Sequence, residues 1–362
     1  MSRIEEAATG PNVAPLNGLH AHIKGFESQQ ATDEDRNHSD ASYSEHVGIF
    51  TIKPGNDWIR QAKERPIPKK LFDVFWFEGE ICILFASSNQ GKSILAVQIA
   101  DSISRGQPVK GFGLEAEPQV VLYFDFELSD KQFETRYSLE YAHHYIWHEN
   151  FLRVEMNPDA DAPETASGFD SYLNQSIEEA IIQTGAKVLI IDNLTFLRST
   201  EPESAKEASP LMKHLKALKK KYELSLLILA HTPKRDQSRP ITQNDLQGSA
   251  RLMQFCDSSF AIGASARDSA LKYLKQTKVR NTAYVYDADN VAVCQIHKPG
   301  NFLQLELLGF AHEGEHLKAV NEKDTEARKE KARDLKAQGM NNVQIAKELG
   351  ISEGAVRKYF KN

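Results

Sequence analysis

Ile81-Cys82-Ile83-Leu84-Phe85-Ala86-Ser87-Ser88-Asn89-Gln90-Gly91-Lys92-Ser93-Ile94-Leu95 reads as a short buried strand, a tight polar turn and a helix that opens at Gly-Lys-Ser. In that context main-chain N–H groups of the turn can wrap phosphate oxygens, and the positive end of the new helix adds to the attraction. Ala86, Ser87, Ser88, Asn89, Gln90, Gly91, Lys92 and Ser93 are the expected nucleotide-binding residues. Lys92 would reach the β- and γ-phosphates of ATP, and the Ser93 hydroxyl would ligate Mg2+. Ala86 stands where the motif has its first Gly, a change that narrows the turn without abolishing it. An ordinary strand–turn–helix corner has no need of Gly91, Lys92 and Ser93 in succession.

Composition sets the frame for this corner. A chain of 362 residues has room for a large core and one or two small appendages. Its 41% hydrophobic and 26% charged residues are ordinary for a globular protein, and a net charge of −6 leaves nucleic-acid binding to local basic patches. Cys82, Cys256 and Cys294 are scattered in or beside apolar runs, which fits a reducing compartment and no disulfide framework. No apolar run approaches the ~20 residues that span a bilayer. The first residues lack the layout of a signal peptide. The expectation is a cytoplasmic protein with no membrane partner.

Outward from the loop, residues 1–46 are polar and aperiodic and are expected to be a disordered tail. Residues 47–76 carry Pro54, Pro66 and Pro68 and read as an adaptor. A core over 77–310 alternates apolar strands with helical patterns, which implies an α/β fold with a mostly parallel sheet covered on both faces. Within it, Asp130 is expected to cap a long helix through Tyr141 and Trp147. The segments 259–262, 271–276, 291–296 and 302–307 read as an antiparallel extension of one side. After a linker at 311–325, residues 326–362 read as helix, Gly350 turn, helix, the layout of a helix-turn-helix.

Asp192 ends the apolar strand Val188–Asp192, where a carboxylate can help hold Mg2+. Glu127 follows the strand Val120–Phe126, expected beside the phosphate-loop strand, and can orient and deprotonate an attacking water. Asp125 competes for that role, because alternation turns both carboxylates to one side, and a helix-capping role for Glu127 is also open. His231, at the end of Leu224–Ala230, can sense a γ-phosphate and opens a loop with Lys234, Arg235 and Arg239. That loop suits a nucleic-acid backbone or bulk water equally well. Lys278 and Arg280, separated by one residue at a strand end, can reach a neighbouring subunit's γ-phosphate or remain solvated.

Together these residues resemble the RecA-fold ATPases, in particular the hexameric replicative helicases of plasmid RepA type and their DnaB relatives. The resemblance spans about 77–307. It rests on Ala86–Ser93 as Walker A, Asp125-Phe126-Glu127-Leu128, and Ile190-Ile191-Asp192-Asn193 as Walker B. His231-Thr232-Pro233-Lys234, Gln247-Gly248-Ser249-Ala250 and Lys275-Gln276-Thr277-Lys278-Val279-Arg280-Asn281 complete it. It implies Glu127 as the catalytic base and His231 as the sensor. It also implies Lys278 and Arg280 acting across a subunit boundary, a homo-oligomeric ring, expected to be a hexamer, and single-stranded DNA in the channel near 232–246. Residues ahead of the core show no primase-binding domain pattern. The C-terminal segment resembles helix-turn-helices of site-specific DNA-binding proteins, which would present Arg357 and Lys358 to a duplex groove. An amphipathic tail packed on the core or on a neighbour is the alternative.

Overall fold

The computed structural model describes residues 46–157, 159, 169–193, 208–233, 235–246, 249–319 and 322–360. The polar tail expected over 1–46 and Lys234 fall outside the described residues, except for His46. The chain divides into two units, Met1–Pro66 and Ile67–Asn362. In the first, a short hairpin pairs His46–Val47 with Phe50–Thr51, and the helix Gly55–Lys63 follows with no buried residue. Lys53 lies over the Trp58 ring.

The second unit is built on nine strands: β1 (Ile81–Ala86), β2 (Val121–Asp125), β3 (Phe151–Val154), β4 (Val188–Asp192), β5 (Ser225–His231), β6 (Ser258–Ala264), β7 (Leu271–Lys278), β8 (Val291–His297) and β9 (Gln304–Ala311). They form one sheet in the order β9-β8-β7-β6-β1-β5-β4-β2-β3. The six strands from β6 to β3 are parallel, and β7, β8 and β9 continue the sheet antiparallel. Every residue of β1 and of β4 is buried, as strands covered on both faces require. Alternation along β1 sends Cys82, Leu84 and Ala86 to one core and Ile81, Ile83 and Phe85 to the other.

The first core is covered by helix α1 (Lys92–Arg105), whose Leu95, Ala96, Ile99, Ala100 and Ile103 face the sheet. The antiparallel end of the sheet curls over this helix. Gln98 of α1 exchanges two hydrogen bonds with the main chain of Leu305, accepting at 3.0 Å and donating at 3.1 Å. Leu71, Phe72, Phe75 and Trp76 are buried in the same core, although Lys70–Phe72 and Trp76–Phe77 pair only with each other. The second core is covered by α3 (Phe169–Thr184) and α4 (Ala208–Tyr222), through Leu173, Ile177, Ile181, Leu211, Met212, Leu215 and Leu218. This is a mixed α/β fold, with a large, mainly parallel sheet packed on both faces.

Of the four segments read as antiparallel, the first lies in β6, which pairs parallel with β1, so the antiparallel extension begins only at β7. Two further expectations change. The helix expected from Asp130 to Trp147 stops early: α2 is only Asp130–Arg136, and Ser129 is its cap, its N–H donating to Gln132 Oε1 at 3.0 Å. The chain then reverses through a hairpin, with Glu140 and Tyr141 at positive φ. The aromatic spacing that mimicked a helical stripe packs instead as a cluster of Phe133, Tyr137, Tyr145, Trp147 and Phe302. Second, β2 does not neighbour β1, because β5 and β4 lie between them.

Following α5 (Ser249–Phe255), β6 makes a close approach to β7. Gly263 pairs with Tyr273 across β6 and β7, and a Cβ at 263 would lie 2.1 Å from the Tyr273 ring. Beyond the sheet, α6 (Glu322–Ala337), α7 (Asn342–Leu349) and α8 (Glu353–Tyr359) share a small core of Ala332, Leu335, Ile345, Ala346 and Val356. Asn341 caps α7, accepting from Gln344 N at 2.9 Å, and Ser352 caps α8, accepting from Ala355 N at 3.2 Å. Gly350 turns the chain between them at φ +63°. Gly263→Ala should cost about 1–3 kcal/mol by overpacking against the Tyr273 ring. A lower urea midpoint is the expected result, and an unchanged midpoint would show that the ring moves aside freely.

Candidate functional site

Parallel strands deliver their last residues to one sheet edge. Ala86 is level with His231 across β1 and β5, and Asp192 is level with Asp125 across β4 and β2. Because β5 is inserted between β1 and β4, His231 stands between the phosphate loop and the two carboxylates. The loop itself runs from Ser87 through the exposed Ser88 and Asn89, the latter at φ +61°, to Gly91 at φ +91°. Glycine is required at 91 for that φ, and a Cβ there would also press on Ile296 Cδ1 at 2.7 Å, the movable tip of a side chain. Gln90 folds back, its Nε2 donating to Ser88 O at 3.3 Å.

Lys92, the first residue of α1, is buried, and its ammonium donates to Ala86 O at 3.3 Å and meets His231 Nδ1 at 3.4 Å. Burial lowers its pKa, while Asp192 and Glu127 pull in the opposite direction. Asp192 is fully buried, with Oδ2 accepting from Tyr123 OH at 2.7 Å. Burial pushes its pKa up to about 6, against the Ser93 and Tyr123 hydroxyls, which favour the charged form. Ser93 thus lies close to this carboxyl, yet Oδ1 has no partner of good hydrogen-bond geometry among the described residues. A buried, unpartnered carboxylate oxygen beside a hydroxyl suits a hard cation, so Ser93 and Asp192 fit the Mg2+ that accompanies a bound nucleotide. No cluster of three or more acidic, His or Cys side chains fit for a metal occurs among the described residues, so phosphate oxygens and water would complete the shell.

The structure separates the two competing carboxylates. Pairing in β2 stops at Asp125, whose Oδ1 accepts from Glu127 N at 3.2 Å and Leu128 N at 3.0 Å. Its Oδ2 accepts from Arg153 Nε at 2.9 Å. Asp125 is consumed in holding its own turn, and the alternation expected to carry on to Glu127 ends there. Glu127 instead meets Asn193 Nδ2 through a short hydrogen bond and lies 3.5 Å from His231 Nε2. The contact with His231 leads the causes that hold the Glu127 pKa below the usual carboxylate range, so the group is kept charged.

Asn193 is a residue to which sequence reasoning attached no role; its adjacency to Asp192 was the available signal. Its Nδ2 also lies 3.0 Å from His231 Nε2. Lys92 Nζ and Asn193 Nδ2 are both donors, and a neutral imidazole has one accepting nitrogen. His231 can satisfy one of them at a time, which couples the phosphate-loop lysine to the group that grips Glu127.

The basic residues lie elsewhere. Lys278 ends β7 and donates to Cys256 O at 2.8 Å and, through a shorter bond, to Met253 O. Arg280 pairs with Asp257 at 3.0 Å, and Asp257 also accepts from Ile81 N at 3.0 Å and Lys219 Nζ at 2.7 Å. Both cations therefore sit near the entry end of the β1 side of the sheet, whereas the phosphate loop leaves its exit end; for a six-residue strand that is about 20 Å. Arg235 departs from the expectation of a free basic loop. It is largely buried, 3.4 Å from Asp245, because Ile241 and Leu246 anchor the segment in the second core. Glu313 Oε1 accepts from Ile241 N at 2.7 Å and pins it further. Arg239 remains half exposed beside Asp236. Arg357 and Lys358 are exposed on α8, Arg357 paired with Glu353 at 2.8 Å.

Asp192 supplies a pH test. Its folded pKa is raised, so its contribution to apo-protein stability is fully present below the unfolded value near 4 and is lost as pH rises through about 6. Asp192→Asn lacks this titration. Urea unfolding from pH 4 to 7 should show the variant gaining on the wild type as pH rises, by up to roughly 3 kcal/mol. A pH-independent gap would contradict the burial of a charged carboxylate here.

A family model described as an AAA domain matches residues 51–237, just over half of the chain. Among solved structures, the crystal structure of a KaiC-like protein from the hyperthermophilic archaeon Pyrococcus horikoshii OT3 is similar at 11% identity. Its TM-score is 0.43, over 64% of this chain and 91% of that one. No curated protein matches. No helix among the described residues is long and apolar enough to cross a membrane. The matched span takes in the phosphate loop, both carboxylates and the histidine between them, and by it the chain belongs to the AAA-domain family, as a P-loop ATPase.

Proposed function

We propose that the chain is a Mg-ATP-dependent, DNA-stimulated ATPase that works as a cytoplasmic homo-oligomeric ring, of the hexameric replicative helicase kind carried by plasmids or other mobile elements. The carrying observation is the convergence of Lys92, His231 and the charged Glu127 at one corner, with Lys278 and Arg280 at the other end of the sheet. In this reading Mg-ATP supplies the phosphate chain and its counter-ion. Main-chain N–H groups of Ser87–Ser93 and the Lys92 ammonium bind it, and Ser93 and Asp192 hold the cation. Glu127 orients the attacking water and takes its proton. When a phosphate claims Lys92, His231 Nδ1 is relieved of its donor and can carry the ring's proton in place of Nε2, whose lone pair is then open to Asn193, loosening the grip on Glu127.

Arg280 lies beyond reach of its own chain's phosphates, so a part for it in phosphoryl transfer needs a second copy. Its release leaves Asp257 still paired with Lys219 and Ile81 N, so no buried charge is stranded. Lys278, tied to two carbonyls, would support Arg280. Single-stranded DNA would run along the 232–246 segment, where Arg239 is exposed.

A second reading is favoured by the separate core of α6, α7 and α8. There the chain is an ATP-controlled, sequence-specific DNA-binding regulator or recombination accessory without unwinding activity. Arg357 and Lys358 would then meet a duplex.

Lys92→Ala should abolish ATP hydrolysis, and persistent turnover would remove the site assignment. Arg280→Ala should bind ATP normally and hydrolyse it poorly, and mixing it with Lys92→Ala should restore part of the activity; no rescue argues against shared sites. Poly(dT) should stimulate turnover strongly. Stimulation only by a specific duplex would favour the regulator.

A further inference from the structure

We propose that Arg153 is a positioning residue for hydrolysis, setting through Asp125 where Glu127 stands; this rests on the ATPase reading above. Arg153 lies on β3, the last strand of the sheet, beside Tyr123 of β2. Its guanidinium is spread over the turn that carries Glu127. Nε donates to Asp125 Oδ2 at 2.9 Å, Nη1 to Asp130 Oδ1 at 2.9 Å and Nη2 to Leu128 O at 2.7 Å, with Glu155 also bound at Nη2. The group stacks 4.6 Å from the centre of the Phe133 ring.

These contacts bracket the turn from both ends. Asp125 is the last residue of β2, Asp130 is the first of α2, and Leu128 lies between them. Asp125 has a side chain wholly removed from solvent and divides its oxygens: one for Arg153, the other for Glu127 N and Leu128 N. The chain of contacts from guanidinium to the Glu127 main chain is therefore two hydrogen bonds long. Arginine is needed for its planar fork, because one ammonium cannot face a carboxylate, a second carboxylate and a carbonyl in fixed directions. Removing the fork leaves the buried Asp125 charge short of its partner, and the turn must rearrange to compensate.

Glu127 touches its other neighbours, Asn193 and His231, only through its side chain. Its main chain is placed by Asp125, so a shift there displaces the carboxylate from the water it would orient. Lys92, Ser93 and Asp192 lie on other elements and keep their grip on nucleotide.

The test compares Arg153→Lys with wild type in steady-state ATPase assays, with binding of a fluorescent ATP analogue and circular dichroism alongside. Loss of kcat on the order of 10–100-fold is expected, with the analogue's Kd and KM changed no more than about twofold. In a Glu127→Gln background the same substitution should add no further loss, because both act through one group. Arg153→Met should show the same pattern more strongly. Normal kcat in Arg153→Lys beside an inactive Lys92→Ala would overturn the role of Arg153 alone. Equal losses in both backgrounds, or a loss of kcat that follows a loss of folded signal, would overturn it too. If Lys92→Ala and Glu127→Gln turn over normally, the ATPase reading falls first and takes this with it.

Discussion

An ammonium group held out of water needs negative charge, and at Lys92 the near partners are a carbonyl and an imidazole. Among the described residues no carboxylate lies within ion-pair distance of it; Asp192 and Glu127 act from farther away. Phosphate oxygens would supply what is missing, and amides of the Ser87–Gly91 turn would add donors. The other parts of the corner follow from keeping that charge in place. Gly91 lets the turn close, α1 starts where the phosphates would lie, and β5 brings an imidazole to the far side of the ammonium.

Sheet topology does the rest of the assembly. Inserting β5 between β1 and β4 spaces Asp192 one strand away from the phosphate loop and puts His231 in the gap. Glu127 arrives from still farther, on a turn that leaves β2 and is tied to β4 by the Phe126 N to Asp192 O bond at 2.9 Å. The curl of β8 and β9 over α1 brings Ile296 against Gly91, so the antiparallel strands buttress the phosphate loop from a distance in sequence.

Much of this could be read along the chain. Buried parallel strands announce themselves as short continuous apolar runs, and Val188–Asp192 stands in the fold with the bounds its sequence suggests. Gly106 after α1 and Ser352 before α8 act as the terminators their chemistry favours. Periodicity failed where aromatic residues cluster from several segments. Tyr141 and Trp147 keep a helical interval from Phe133 and Tyr137, but a reversal at Glu140 and Tyr141 lets Trp147 pack from another direction. The basic loop after His231 misled for a related reason: composition counts Arg235 as a free cation, while Ile241 and Glu313 draw its segment inward.

The amino-acid sequence alone determined the phosphate loop, the strands that end in Asp192 and His231, and the α/β class, because each depends on neighbours a few residues apart. Only the tertiary structure set the surroundings of Asp125 and Glu127 apart, since Arg153, which comes from another strand, claims the first carboxylate and not the second. It alone joined Asn193 and Lys92 through a single imidazole, and alone put Arg280 at the far end of the sheet from the loop. Local geometry is written in spacing. Which groups compete for the same proton or the same charge depends on strand order, and that follows from packing the whole sheet.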